Sequence, residues 1–140
     1  MSSTTSNIKL RILVVDDEPD ILLGLNALLR GRSHSVKTFD NSSEALRHLT
    51  DSNKVNNHYD LVITDYRMPG GISGLDLAKR VKEHTRRKTK VFLMTAFDPS
   101  SLPEFSEAIE SEIVDEVLQK PFPNDKLIAV IEKSFVHNHP

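Results

Sequence analysis

Short runs of branched apolar residues alternate along the chain with stretches of helical spacing. The first run is Arg11-Ile12-Leu13-Val14-Val15, the pattern of a strand covered on both faces. It ends in Asp16-Asp17-Glu18-Pro19, and Pro19 suits the first turn of a helix, where its missing N–H is harmless. Ile21, Leu22, Leu25, Leu28 and Leu29 then recur with helical period, and Gly31 marks a C-terminal stop. Ser35 to Phe39 reads as a second, weaker strand. Asn41 can cap the next helix, with Glu44 as its capping-box partner and Ala45, Leu46 and Leu49 as its apolar face. Ser52 to His58 reads as a polar loop.

Leu61-Val62-Ile63 is the third strand, and Pro69 forces it to end near Asp65. The turn Met68-Pro69-Gly70-Gly71 leads to a helix around Leu75 to Glu83, with Leu75, Ala78 and Val81 on one face. Val91 to Met94 is the fourth strand, ending in Thr95-Ala96. Ser101 and Glu104 form a capping-box pattern ahead of a helix face of Leu102, Phe105, Ala108 and Ile109. Glu116 to Gln119 is a short fifth strand closed by Lys120-Pro121. Pro123 opens a last helix with Leu127, Ile128, Ile131 and Phe135 turned inward. Strand and helix thus alternate five times, which predicts an α/β fold with a parallel sheet covered on both faces.

Composition narrows the function. A chain of 140 residues suits one domain with one core. Lys plus Arg number 18 against 20 for Asp plus Glu, so there is no basic footprint for nucleic acid. The absence of cysteine excludes disulfides and thiolate metal sites. No apolar run approaches the roughly 20 residues of a membrane span. Residues 1–8 read as a disordered tail without a signal peptide's apolar core, 9–136 as the domain and 137–140 as a C-terminal tail, which together favour the cytoplasm. The basic cluster Arg86, Arg87, Lys88 and Lys90 reads as a solvated helix end.

Four strand ends carry polar groups: Asp16 and Asp17, then Asp65, Thr95 and Lys120. In a parallel sheet these ends share the edge where ligands bind in open α/β folds. A lone acid there would only solvate a strand end. Three clustered carboxylates repel one another and call for a cation, and oxygen-only donors point to a hard ion such as Mg2+. Lys120 adds a positive charge for an anion and Thr95 a hydrogen-bond donor. Together these groups describe phosphoryl transfer to a carboxylate nucleophile, Asp65.

Asp16-Asp17-Glu18, Asp65 followed by Met68-Pro69, Thr95-Ala96 and Lys120-Pro121-Phe122 stand in order over Lys9 to Phe135. In this the chain resembles the receiver domain of two-component response regulators. The resemblance implies a (βα)5 flavodoxin-like fold, a doubly wound parallel five-stranded sheet in strand order 2-1-3-4-5. It implies Asp65 as phosphoacceptor, Asp17 and Asp65 as direct Mg2+ ligands, Asp16 acting through water, and the Arg67 backbone carbonyl completing the set. Thr95 would turn toward the phosphoryl group and Lys120 would pair with it, next to a cis Lys120–Pro121 bond. Implied partners are a sensor histidine kinase or phosphotransfer protein and a downstream protein target. Contact, or dimerisation, would run through helix 4, strand 5 and helix 5. Chemistry would be limited to self-phosphorylation and autodephosphorylation. The open alternatives are a fragment of a larger regulator or hybrid kinase, and an aspartyl-phosphate phosphohydrolase, against which Arg67 counts because such enzymes carry an acid there.

Three departures from the family pattern stand out. Gly74 lies five positions after Pro69 rather than four, so the turn holds an extra residue that Gly70-Gly71 can absorb. Val117 occupies the position, three before the lysine, where the family carries an aromatic switch residue. Phe97 is either a substitute for that ring or a packing residue. Arg67 sits beside the phosphoryl position, either as a clamp or extended into solvent.

Overall fold

The computed structural model describes residues 8–51 and 58–135. The terminal tails and most of the Ser52–His58 loop lie outside those residues. The elements are β1 (Arg11–Val15), α1 (Pro19–Gly31), β2 (Ser35–Phe39), α2 (Ser42–Leu49), β3 (Leu61–Asp65), α3 (Gly74–Thr85), β4 (Lys90–Thr95), a 3-10 turn (Pro99–Ser101), α4 (Pro103–Glu110), β5 (Glu116–Gln119) and α5 (Asn124–Phe135). All strand pairs are parallel and the order is β2-β1-β3-β4-β5. This is the doubly wound architecture expected from the alternating pattern.

Strand residues alternate between two cores, as the period of two requires. Leu13, Val15, Val62, Val91 and Leu93 face α2, α3 and α4, where Leu49, Leu77, Val81 and Phe105 meet them. Ile12, Val14, Leu61, Ile63, Phe92 and Met94 face α1 and α5, against Leu25, Leu29, Leu127 and Ile131. Each such Leu, Ile or Phe removed from water contributes about 1.5–3 kcal/mol. The central strands therefore carry apolar residues on both sides, which is why their sequences show no polar alternation.

Four expectations need correction. Ser101 does not cap α4: its hydroxyl donates to the Asp98 carbonyl within the 3-10 turn, at 2.6 Å. Leu102 occupies the N-cap position and Pro103 opens the helix. The proline's preset φ and missing N–H displace the start by one residue. Ile109 is 41% exposed rather than inward, whereas Phe105 and Ala108 are buried. In α5 the buried residues are Leu127, Val130 and Ile131, while Ile128 and Phe135 are only half-buried. Ile8, assigned to the tail by pattern, packs partly buried against the α1–α5 core.

His34 was not singled out in the sequence, yet it is buried and ties β2 to β1. Its Nδ1 accepts from the Leu10 N–H at 3.1 Å, so that nitrogen carries no proton. Burial, then the nearby Arg32 charge, lowers its pKa below the ordinary 6.5. The folded state thus binds this proton less well than the unfolded chain. The stability His34 contributes is complete above pH 6.5 and is lost as pH falls from there through the folded-state value. Urea unfolding at pH 7.5 and 5.5 should show a larger loss of stability for the wild type than for His34→Gln.

Candidate functional site

Strand register brings the chemistry to one rim. Val15 pairs with Thr64, which places Asp16 beside Asp65. Asp65 pairs with Met94, and Thr95 with Gln119, so Thr95 and Lys120 project from the same edge. Every strand ends within one residue of the same level, so polar side chains converge without any long loop.

Asp16 is fully buried and Asp65 nearly so, at 8% exposure, while Asp17 is open to solvent. One carboxylate oxygen of each lies within 4.8 Å of the other two. The Glu18 N–H donates to Asp16 Oδ1 at 2.9 Å and holds that carboxylate at the start of α1. Lys120 Nζ lies 3.0 Å from Asp16 Oδ2 and 3.1 Å from Asp65 Oδ1. Its long stem is required, because β4 separates β5 from β3 and two strand spacings are roughly 10 Å. The Lys120–Pro121 peptide is cis.

Electrostatics here are frustrated. Burial raises the Asp65 pKa above the ordinary 3.8, and the Asp16 charge raises it further. Hydrogen bonding and attraction to Lys120 oppose these without cancelling them, and Asp17 adds to the rise. Burial acts to lower the Lys120 pKa, but its bonds to Asp16 and Asp65 outweigh this and raise it. Three carboxylates around one ammonium leave an excess of negative charge. A hard cation with oxygen ligands answers that excess, and the chain has no cysteine to offer a thiolate instead.

Asp17, Glu18, Asp65, Tyr66, Arg67, Pro69, Thr95, Ala96, Phe97 and Lys120 line a cleft of about 320 Å3 over this cluster. Thr95 is buried: its carbonyl accepts from the Lys120 N–H at 2.7 Å and its Oγ1 from the Phe97 N–H at 3.0 Å. The extra residue after Pro69 is taken up where Gly70 adopts φ +80°. Ser42, at the start of α2, anchors the loop by donating to the Ile72 carbonyl at 2.6 Å. Gly74 lets α3 begin against β3, since a Cβ there would lie 2.2 Å from the Asp65 carbonyl oxygen.

Arg67 neither reaches Asp65 nor extends freely. Its guanidinium carbon stacks 5.1 Å from the Phe97 ring centre and 5.5 Å from that of Tyr66. Val117 is half-buried and packs into the core beside α3 and α4. Tyr66 is the residue that pattern reading passed over. Its ring meets Phe105 edge-on at 4.9 Å, and its hydroxyl donates to Glu104 of α4.

The family model of the response regulator receiver domain matches residues 12–132. The chain belongs to this family. It is 32% identical over 126 residues to the DNA-binding transcriptional regulator NtrC of Escherichia coli, covering 90% of this chain and 25% of that one. Identity to the transcriptional regulatory protein FixJ of Bradyrhizobium diazoefficiens is 32% over 129 residues, covering 92% and 58%. The response regulator TrrA of Thermotoga maritima, solved in complex with Mg2+-BeF, superposes with a TM-score of 0.70 at 35% identity, covering 88% and 96%. The receiver domain described here thus spans a quarter to somewhat over half of the NtrC and FixJ chains.

Because Asp65 favours its neutral form relative to a free carboxyl, its ionisation opposes folding. That opposition is absent below pH 3.8 and grows as pH rises through the raised folded-state value. In metal-free buffer at pH 7, Asp65→Asn should raise Tm, by about 3–5 °C for each kcal/mol of ionisation penalty relieved in a domain of this size. The gain should vanish in thermal melts near pH 3.5, where the aspartate is itself protonated.

Proposed function

We propose that this receiver domain is a phosphorylatable switch in which Asp65 takes a phosphoryl group from a histidine kinase or phosphotransfer protein. What supports the reading is the convergence of three carboxylates within 4.8 Å, with Lys120 Nζ 3.1 Å from Asp65 Oδ1. Asp16, Asp17, Asp65 and the Arg67 backbone carbonyl would hold Mg2+, with Asp16 acting through water. When bound, the ion neutralises carboxylate and phosphate charge.

The chain's own groups divide the remaining work. The Asp65 carboxylate is the nucleophile, forming an O–P bond as the P–N bond of a phosphohistidine donor breaks and the imidazole leaves with the electron pair. Lys120, already facing Asp65, meets the charge on the transferred oxygens as a fixed point cation. Thr95 supplies a hydroxyl donor from the neighbouring strand end. Attack by water on the phosphorus releases inorganic phosphate and returns the free carboxylate, so the only turnover is self-phosphorylation and autodephosphorylation. Output runs through protein contacts, with α4, β5 and α5 as the face presented to a target or a second copy, in the cytoplasm.

Incubation with Mg2+ and a small-molecule phosphodonor should add the mass of one phosphoryl group to wild type and none to Asp65→Asn. Equal mass gain in both would refute the assignment. Mg2+ at a hundredfold excess over its Kd should stabilise wild type by about 2.7 kcal/mol, and Asp17→Asn should lose most of that shift in a thermal melt.

A further inference from the structure

Val117 gives β5 no long side chain with which to register events at Asp65. A different set of contacts connects the cleft with α4. The Thr95 hydroxyl accepts from the Phe97 N–H at 3.0 Å. The Phe97 ring meets the Tyr66 ring edge-on, with centroids 6.3 Å apart. Tyr66 in turn stands against buried Phe105 and donates its hydroxyl to Glu104, both on α4. Arg67 stacks over the two outer rings, Tyr66 and Phe97. The residue in the middle of this set, Tyr66, is also covalently next to Asp65.

We infer that Tyr66 is a positioning residue that carries the state of Asp65 to α4 through Phe97, Phe105 and Glu104. This rests on Asp65 being the phosphoacceptor. A phosphoryl group there places roughly two negative charges and three acceptor oxygens in the cleft. Thr95 lines that cleft, and its hydroxyl is a donor as well as an acceptor. Turning to donate to a phosphoryl oxygen withdraws it from the Phe97 N–H. Arg67, which stacks on the two rings beside the same cleft, is drawn toward the new anion. Both movements strip partners from the Tyr66–Phe97 pair. The Tyr66–Glu104 bond is a single solvent-exposed tie, so it opens readily once the ring loses its neighbours. The first turn of α4 is then released from the β3–α3 loop.

The contacts supply two readouts that packing alone would not move. Tyr59 and Tyr66 are the two tyrosines of a chain without tryptophan. Tyr59 is buried, with its hydroxyl 2.9 Å from His48 Nε2, so a change in emission on phosphorylation reports on Tyr66. A phenol bonded to a carboxylate emits weakly, and release from Glu104 brightens it. The second readout is amide hydrogen exchange across residues 103–110, the span of α4.

Both should be followed with and without Mg2+ and a small-molecule phosphodonor, alongside intact mass, in wild type, Tyr66→Phe, Glu104→Ala and Glu104→Gln. In wild type, phosphorylation should brighten tyrosine emission and speed α4 exchange by about threefold or more. Tyr66→Phe and Glu104→Ala should exchange fast beforehand and change little on phosphorylation when compared with wild type at equal phosphate occupancy by intact mass. Glu104→Gln, which keeps an acceptor, should restore most of the wild-type response. A wild-type-sized α4 response in Tyr66→Phe overturns the inference. Phosphate uptake by wild type without any change in α4 overturns it too and leaves the phosphoacceptor reading standing. No phosphate uptake by wild type overturns both.

Discussion

Lys120 stands between two carboxylates that would otherwise repel each other across the edge of the sheet. Asp16 is fully buried and Asp65 nearly so, and both lie within 3.1 Å of the same ammonium. Leaving a buried charge without its partner costs about 3–5 kcal/mol. The rim therefore depends on a lysine that must come from two strands away. Its counterweight is incomplete, because the burial of Asp65 and the Asp16 charge, with a smaller push from Asp17, keep the Asp65 carboxyl biased toward its neutral form. A site poised in this way favours an arriving cation or a reaction that spreads the charge.

The fold serves that arrangement. Parallel strands with staggered crossovers end at one level, so Asp16, Asp65, Thr95 and Lys120 meet without loop rearrangement. Gly74 lets α3 start against the Asp65 carbonyl, which brings the turn after β3 close over the cleft. The same turn carries Tyr66 and Arg67 outward to α4 and Phe97. The proposed chemistry and the proposed readout therefore share three consecutive residues, Asp65 to Arg67, at one strand end.

Strands and the acid rim were legible because their signals are local. Buried parallel strands read as unbroken branched apolar runs, and the rim residues follow those runs directly. The start of α4 was not legible: Ser101 and Glu104 satisfy a capping pattern, yet Asp98 captures the Ser101 hydroxyl and Pro103 sets the helix start. Ile109 fits an apolar face by spacing but lies where a short helix leaves the core. The partners of Tyr66 and His34 were hidden for another reason. Tyr66 meets Glu104 across 38 residues and His34 meets Leu10 across 24, and periodicity carries no information about such pairs.

The most direct measurement is to locate the phosphoryl group itself. Borohydride reduces an acyl phosphate to an alcohol, turning a phosphorylated aspartate into homoserine. Peptide sequencing by mass spectrometry after treatment with Mg2+, phosphodonor and borohydride should find homoserine at position 65 and nowhere else. Homoserine at Asp16 or Asp17, or unmodified Asp65 in protein that has gained phosphate mass, would contradict the assignment of this rim.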